Sequence, residues 1–418
     1  MNRFTTHSLQ DPRILRILAA AIDAVDPYLV VRRNLPKLEG QVFGLGIGKA
    51  ALPMMDALVD EIPLAGGLAV TKFASDARRA YTVMEGGHPI PDERSLRAGE
   101  RVLEFVSSLR DDDTLICLIS GGGSALVTAP LVPLEDLQTL TSLLLASGAR
   151  IDEINILRRQ LDRIKGGGLA WATKAKIISL ILSDVVGNPL ETIASGPTVP
   201  DPTTKMDAVD VLKKYDLMYR LPNSVREIVE SSSPLLEGQQ SAGLPNVQNM
   251  IIGDNRLAAT AALEQAKQEG FDASILMNDL QGEAREAGAM LAGRLRVETP
   301  KRARPFCLIA GGETTVTMKG NGKGGRNQEL ALSAVSELSG LENVMLIALA
   351  TDGDDGPTDA AGAVATGESA QRAAALGLDA AAYLSRNDSY PFFQELGDLI
   401  KSGPTGTNVN DLTFLFAT

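Results

Sequence analysis

The chain has 418 residues and carries 40 Lys and Arg against 52 Asp and Glu, a net charge of −12. That acidity excludes nucleic acid and anionic membrane surfaces as general partners, since both need a basic excess. A 4% aromatic content with one tryptophan, Trp171, leaves no stacking surface for bases. Small anions are not excluded, but binding one requires a few local cations acting against the overall field.

A hydrophobic share of 44% and a charged share of 22% suit an ordinary globular chain. At about 150 residues per domain the length favours two domains. Cys117 and Cys307 both lie in apolar runs, TLICLIS and PFCLIAGG, so they read as small core residues rather than a disulfide or zinc site. The N-terminal apolar stretch is interrupted by Arg16 and Asp23, unlike a signal peptide. No apolar run reaches a membrane-spanning length. The expectation is a cytoplasmic protein, monomeric or homodimeric, with no membrane or nucleic-acid partner.

Taken in order, Asp11 and Pro12 start a helix with Ile14, Leu18, Ala21 and Val25 on one face. QVFGLG predicts a strand, Lys49 to Asp60 a helix, and GGLAVT and YTVMEGG two further apolar runs. Asp92 opens a helix through Leu109, and TLICLIS is a buried strand. Leu134 to Ser147 and Asp152 to Ile164 read as helices before the buried strand KIISLILS. Ser231 to Gln248 has no period and is rich in Ser, Gly, Pro and Gln, which places the domain boundary there. The expected domains are 1–240 and 241–418. Beyond the boundary come NMIIGD, a helix from Asn255 to Glu269, ASILM and a helix from Gly282 to Arg296. PFCLIAGGE, TTVTMKG, a helix from Gly325, NVMLIALAT, helices across Glu368 to Ile400 and DLTFLFA complete the chain. Apolar strands alternating with helices indicate an α/β fold with a mostly parallel sheet covered on both faces.

Ligands of such sheets bind beyond the carboxyl ends of the strands, so the loops there carry the chemistry. GLGIGKA (Gly44 to Ala50) misses the dinucleotide fingerprint in both registers, because Lys49 and Ala51 stand where glycine is needed, and it misses the Walker A pattern too. What remains is a turn through Gly46 and Gly48 that sets Lys49 at a helix start, suited to an anion. SGGGS (Ser120, Gly121, Gly122, Gly123, Ser124) lets main-chain N–H groups approach phosphate oxygens, and it lacks the glycines of a nucleophile elbow. In GGETTVTMKGNGKGGRNQEL, Glu313 follows the strand-end glycines, while Gly324 and Gly325 deliver Arg326 and Asn327 to a helix start. A guanidinium there suits a carboxylate or phosphoryl group. Asp184 and Asn188 in SDVVGNP and Asp352, Asp354 and Asp355 in TDGDDGP are acidic or polar strand ends. Asp352, directly at a strand terminus, is the foremost candidate for a hard cation, with Asx turns the competing reading. His88 in GGHPIPD is a turn residue or a base. Arg158, Arg159, Arg163 and Lys165 either complement a helix dipole or reach an anion pocket.

GLGIGKA, GGHPIPDERS, LISGGGSAL, ILSDVVGNPLETIASGPTVPD, GGETTVTMKGNGKGGRNQEL and ATDGDDGPTDAAGA, in this order, resemble the type-2 glycerate kinases, the glycerate 2-kinase (MOFRL) family, over nearly the whole chain. The resemblance implies ATP- and Mg²⁺-dependent phosphorylation of D-glycerate, typically at the 2-hydroxyl. It also implies a Rossmann-like N-terminal domain, a smaller α/β C-terminal domain and an active-site cleft between them, with the family's basic residues falling on Lys49 and Arg326. On this reading Lys49 and Arg326 hold the glycerate carboxylate or the transferring phosphoryl group. SGGGS and GNGKGG present N–H groups to ATP phosphates, and Asp352, with Asp184 or Glu313, holds Mg²⁺ or orients the hydroxyl. Two rivals stand beside it: a nicotinamide-dependent hydroxypyruvate reductase, which the missing fingerprint disfavours, and a non-catalytic sugar-phosphate sensor, which would not need the acidic strand ends.

Overall fold

The computed structural model describes residues 2–38, 40–74, 80–231, 244 and 246–418. The chain opens on helix α1 (Pro12–Ala24), with Pro12 at its first position and the Asp11 carboxylate accepting from the Arg13 N–H. These are the start signals the sequence carries. Its buried face is Ile14, Leu15, Ile17, Leu18, Ala21 and Ile22.

Contacts divide the chain into two compact units. One is Pro27–Ile252; the other is discontinuous, Met1–Asp26 with Gly253–Thr418. The contiguous domains 1–240 and 241–418 expected from sequence differ from this in two respects: the first 26 residues belong with the later part of the chain, and the strand NMIIGD, placed beyond the boundary, joins the first sheet. The expected boundary itself, at 240/241, lies outside the described residues.

The unit Pro27–Ile252 begins with α2 (Pro27–Asn34), β1 (Val42–Ile47), α3 (Ala51–Glu61), β2 (Gly66–Thr71), β3 (Thr82–Glu85) and α4 (Glu93–Ser107). It continues with β4 (Thr114–Ile119), α5 (Gly123–Leu126), α6 (Leu134–Ala146), α7 (Ile151–Gln160), α8 (Gly168–Trp171) and β5 (Lys176–Leu182). It closes on α9 (Lys205–Lys214), α10 (Asn223–Glu230) and β6 (Val247–Gly253). The strands form one sheet ordered β3-β2-β1-β4-β5-β6. β1 pairs in parallel with β2 and β4, as do β2 with β3 and β4 with β5. This is the Rossmann strand order, which reverses direction between β1 and β4. Leu45, Ile47, Cys117, Ile119, Ile177 and Ile181 build its core with Val102 and Val106 of α4. A separate apolar cluster joins α6, α7, α9 and α10.

The second unit adds α11 (Asn255–Gln268), β7 (Asp272–Leu280), α12 (Ala284–Glu298), β8 (Phe306–Gly312), α13 (Arg326–Leu338), β9 (Val344–Ala350) and β10 (Gly362–Thr366). Then follow α14 (Ser369–Ala375), α15 (Ala380–Ser385), α16 (Ser389–Leu396), β11 (Leu399–Ile400) and β12 (Asp411–Ala417). Its sheet, ordered β11-β10-β9-β12-β8-β7, is mixed: β7 and β8 are parallel, and every other pair is antiparallel. The last strand lies between β8 and β9, with Asp411 opposite both Gly312 and Ala350. The start of β12 therefore meets the ends of β8 and β9. TTVTMKG forms no strand; it is a loop with a single bridge from Thr315 to Glu283, and Met318 is exposed. α1 packs on α11, fixed by Arg16 to both Glu269 carboxylate oxygens at 2.6 Å and by Arg13 over the Phe271 ring.

Candidate functional site

In the unit Pro27–Ile252, the reversal between β1 and β4 brings two sequence-predicted loops together. The Gly46–Gly48 turn ends β1, and Ser120–Ser124 ends β4. The Lys49 N–H donates to the Gly121 carbonyl at 2.9 Å, and the Ala50 N–H donates to Ser120 Oγ at 3.0 Å. Gly48 has φ +127°, and a methyl group placed there would lie 2.2 Å from Ser120 Oγ, so only glycine allows this approach. Gly46 serves α3 instead: a methyl would meet Met55 Cγ at 2.7 Å. Gly46, Gly48 and Ser120 therefore build the turn and are not free to face a ligand.

The ligand-facing part is the apex. No carbonyl or side chain among the described residues accepts from the N–H groups of Gly122, Gly123 or Ser124. Around Gly122 converge the Lys49 stem and the His88 ring, which a methyl on that glycine would reach at 3.2 and 3.3 Å. A methyl on Gly121 would lie 1.9 Å from Asp184 Oδ2, so Asp184 at the end of β5 belongs to the same cluster. Asn188 lies four residues on, with φ +56°. Burial, followed by the charges of Lys49, Lys72 and Arg158, lowers the His88 pKa to about 4. His88 is therefore neutral at pH 7: a hydrogen-bonding group and a weak base. Among the described residues no carboxylate pairs with Lys49 or Arg158. The turn thus carries excess positive charge, the local exception that an acidic protein needs to bind small anions.

In the other unit, Arg326 opens α13 with its guanidinium already engaged. Nε donates to Asp411 Oδ2 at 2.6 Å, Nη2 to Asp411 Oδ1 at 3.1 Å and Nη1 to Glu313 Oε1 at 2.6 Å. Burial opposes its charge, but Asp411 and Glu313 outweigh it and raise the pKa. Asp355 sits at the helix start, accepting from the main-chain N–H groups of Asn327 at 3.1 Å and Gln328 at 2.9 Å and from Asn327 Nδ2 at 3.2 Å. Burial, then repulsion from Asp411, pushes the Asp355 pKa up to about 6.

Several expectations for this region are corrected. Asn327 is buried and bound to Asp355, so it does not face a ligand. The GNGKGG loop does not offer a row of free N–H groups: those of Lys319 and Gly320 go to Asn387 Oδ1, that of Gly322 to the Arg386 carbonyl and that of Lys323 to Asp388. Gly324 and Gly325 are small because Ser389 Oγ and the Asp355 carboxyl lie 2.1 and 2.2 Å from where a Cβ would stand. Asp352 accepts from the Asp354 N–H at 3.1 Å, the Asx-turn arrangement. Among the described residues no three His, Cys, Asp or Glu side chains group as a metal cage.

Sequence reasoning missed Asp411. One signal was present: a carboxylate opening an otherwise apolar strand, DLTFLFA, that is buried throughout. It also missed Asn155 and Ser195, which lie behind Ser124. The basic run after α7 is resolved. Arg159 pairs with Asp201 at 2.7 Å and Lys165 with Asp162 at 2.5 Å, both buried, whereas Arg163 is exposed.

A family described as a domain of unknown function (DUF4147) matches residues 13–230, and the MOFRL family matches residues 306–411. The Pyrococcus horikoshii glycerate 2-kinase is 42% identical, over 97% of this chain and 96% of its own. The chain belongs to the glycerate 2-kinase (MOFRL) family. The Thermotoga maritima D-glycerate 2-kinase is 43% identical over 96% of this chain and 98% of its own. The crystal structure of the Thermotoga maritima glycerate kinase superposes with a TM-score of 0.90, covering 97% of this chain and 99% of that one.

Proposed function

We propose that this chain is an ATP-dependent kinase that phosphorylates D-glycerate at the 2-hydroxyl to give 2-phosphoglycerate. One observation carries the reading: the turn at the β1/β4 reversal sets N–H groups and cations that have no partner among the described residues side by side, with a carboxylate, Asp184, adjoining. Relatives named as glycerate 2-kinases, above 40% identical along nearly their full lengths, support the same substrate.

Phosphoryl transfer needs positioning and charge neutralisation more than a reactive side chain. The N–H groups of Gly122, Gly123 and Ser124 receive phosphate oxygens, and the exposed Lys49 ammonium balances their charge. Asp184 accepts a hydrogen bond from the acceptor hydroxyl and orients it. Arg326, held by Asp411 and Glu313, is a fixed guanidinium with donor capacity left for an anionic group. The donor chemistry fits a Mg²⁺ that would be brought in on ATP phosphates rather than held in a protein cage. When bound, it neutralises phosphate charge.

The purified protein, given D-glycerate, MgATP and a coupled ADP assay, is expected to form ADP only with glycerate. Its product is expected to feed enolase without a mutase, which identifies 2-phosphoglycerate. Absence of glycerate-dependent ADP, or NADH oxidation with hydroxypyruvate instead, refutes the reading.

A further inference from the structure

Of the four basic residues at the end of α7 and in the turn after it, Arg158 is the anomaly. Arg159 and Lys165 are neutralised by buried carboxylates, and Arg163 lies in solvent. Arg158 is partly buried, donates from Nη1 to Asn155 Oδ1 at 3.3 Å and has no carboxylate partner among the described residues. Its field lowers the proton affinity of both Lys165 and His88, and the carboxylate lining the same void, Asp162, is held by Lys165. A charge withdrawn from water without a counter-ion is unfavourable, so its retention calls for an anion from outside the chain.

A hydrogen-bond relay beside it has a fixed direction. Arg158 can only donate, so the Asn155 atom it meets is the amide oxygen. The Ser195 hydroxyl donates to that same oxygen at 3.3 Å. Having used its hydrogen, Ser195 Oγ must accept from Ser124 Oγ, 2.8 Å away. Ser124, at the glycine apex, therefore has its hydrogen committed inward and its lone pairs left for a donor. Ser195 is held for this task at some expense: it and Ala194 have φ of +60° and +50°, conformations that side chains disfavour. Ser124 and Arg158 line one void of about 10 Å³, which makes them neighbours and leaves room there for a single polar group of a ligand rather than a whole one.

We propose that Arg158 and Ser124 form the acceptor-substrate subsite, selective for small hydroxycarboxylates. The guanidinium takes the carboxylate, and Ser124 Oγ accepts a hydrogen bond from a substrate hydroxyl, with Ser195 and Asn155 as positioning residues. This rests on the kinase reading and assigns the carboxylate to Arg158 in place of Lys49, which is left to the phosphates.

The test compares Arg158→Gln, Arg158→Lys, Ser195→Ala and the exposed control Arg163→Gln, with D-glycerate binding by calorimetry without ATP as well as kinetics. Truncating one partner of a buried charge pair predicts a KM for D-glycerate raised about 100-fold in Arg158→Gln. The KM for ATP stays within about threefold, since the change removes no phosphate contact. Arg158→Lys restores part of the loss, and Ser195→Ala raises the glycerate KM about tenfold by releasing the Ser124 hydrogen. Arg163→Gln behaves as wild type. Because the charge is unpaired in the free protein, Arg158→Gln is expected to keep or raise the melting temperature. An unchanged glycerate KM in Arg158→Gln, a rise confined to ATP, or a lowered melting temperature with both constants moved together overturns the subsite while the kinase reading stands. A wild type without glycerate-dependent ADP formation sinks the kinase reading. In that case the subsite survives only if wild type binds D-glycerate and Arg158→Gln does not.

Discussion

Arg326 shows how partners decide what the loss of a residue means. If Arg326 serves phosphoryl transfer as proposed, removing it costs on the order of 10³ in kcat. It also leaves the buried Asp411 carboxylate without its guanidinium, for which about 1–3 kcal/mol of destabilisation is expected; the exposed Glu313 adds little. Arg326→Ala should therefore lose both activity and melting temperature, and normal kcat in a folded Arg326→Ala protein would remove it from the reaction. Asp355 gives a pH signature. Its folded pKa of about 6 exceeds the unfolded 3.8, so the folded state binds the extra proton. The associated stability is present at pH below 3.8 and lost as pH rises through 6, on the order of 3 kcal/mol in all. Asp355→Asn, which does not titrate, should therefore gain on wild type as pH rises from 4 to 6. Urea midpoints at pH 4.5, 5.5 and 7 measure this, and a pH-independent difference would remove the assignment.

At the scale of elements, most strands and the loops that end them were legible, because buried strands are continuous apolar runs and glycine turns punctuate them; the short β10 and β11 were not, and β11 lies in a stretch that reads as helix. What glycine does in each loop was not. A glycine is equally required where a ligand approaches and where another part of the protein does, and sequence does not tell these apart. SGGGS and GNGKGG looked alike; the first has an open apex, and the second is filled by Arg386 to Ser389. Two substitutions separate them. Gly121→Ala drives a methyl into Asp184 Oδ2 and should cost on the order of 10² in kcat, because displacing a positioning group by about 1 Å does so. Its melting temperature should change little, since the carboxylate can swing aside. Gly324→Ala meets the buried Ser389 Oγ, which cannot yield as readily, and should lower stability by about 1–3 kcal/mol. The reverse pattern, a stability loss in the first and a kinetic loss in the second, would exchange the roles of the two loops.

For the molecule as a whole, the placement of α1 was beyond sequence reasoning. Its period states which face is buried, and that face was read correctly; nothing in a period says which element covers it. The covering element is α11, more than 200 residues later in the chain, reached by the Arg16–Glu269 pair and by Thr407 Oγ1 donating to the Val25 carbonyl at 2.7 Å. The first helix thus completes the core of the unit that ends the chain. Leu18 is fully buried in that face, so Leu18→Ala should cost about 2–4 kcal/mol from lost burial and the cavity left behind. The decisive point is where the loss is felt. Amide exchange should quicken in α1, α11 and the strands of the mixed sheet, while the protected amides of β1, β4 and β5 keep their rates, because Leu18 adds nothing to that core. Faster exchange confined to the parallel sheet would instead assign α1 to the unit Pro27–Ile252 and restore two contiguous domains.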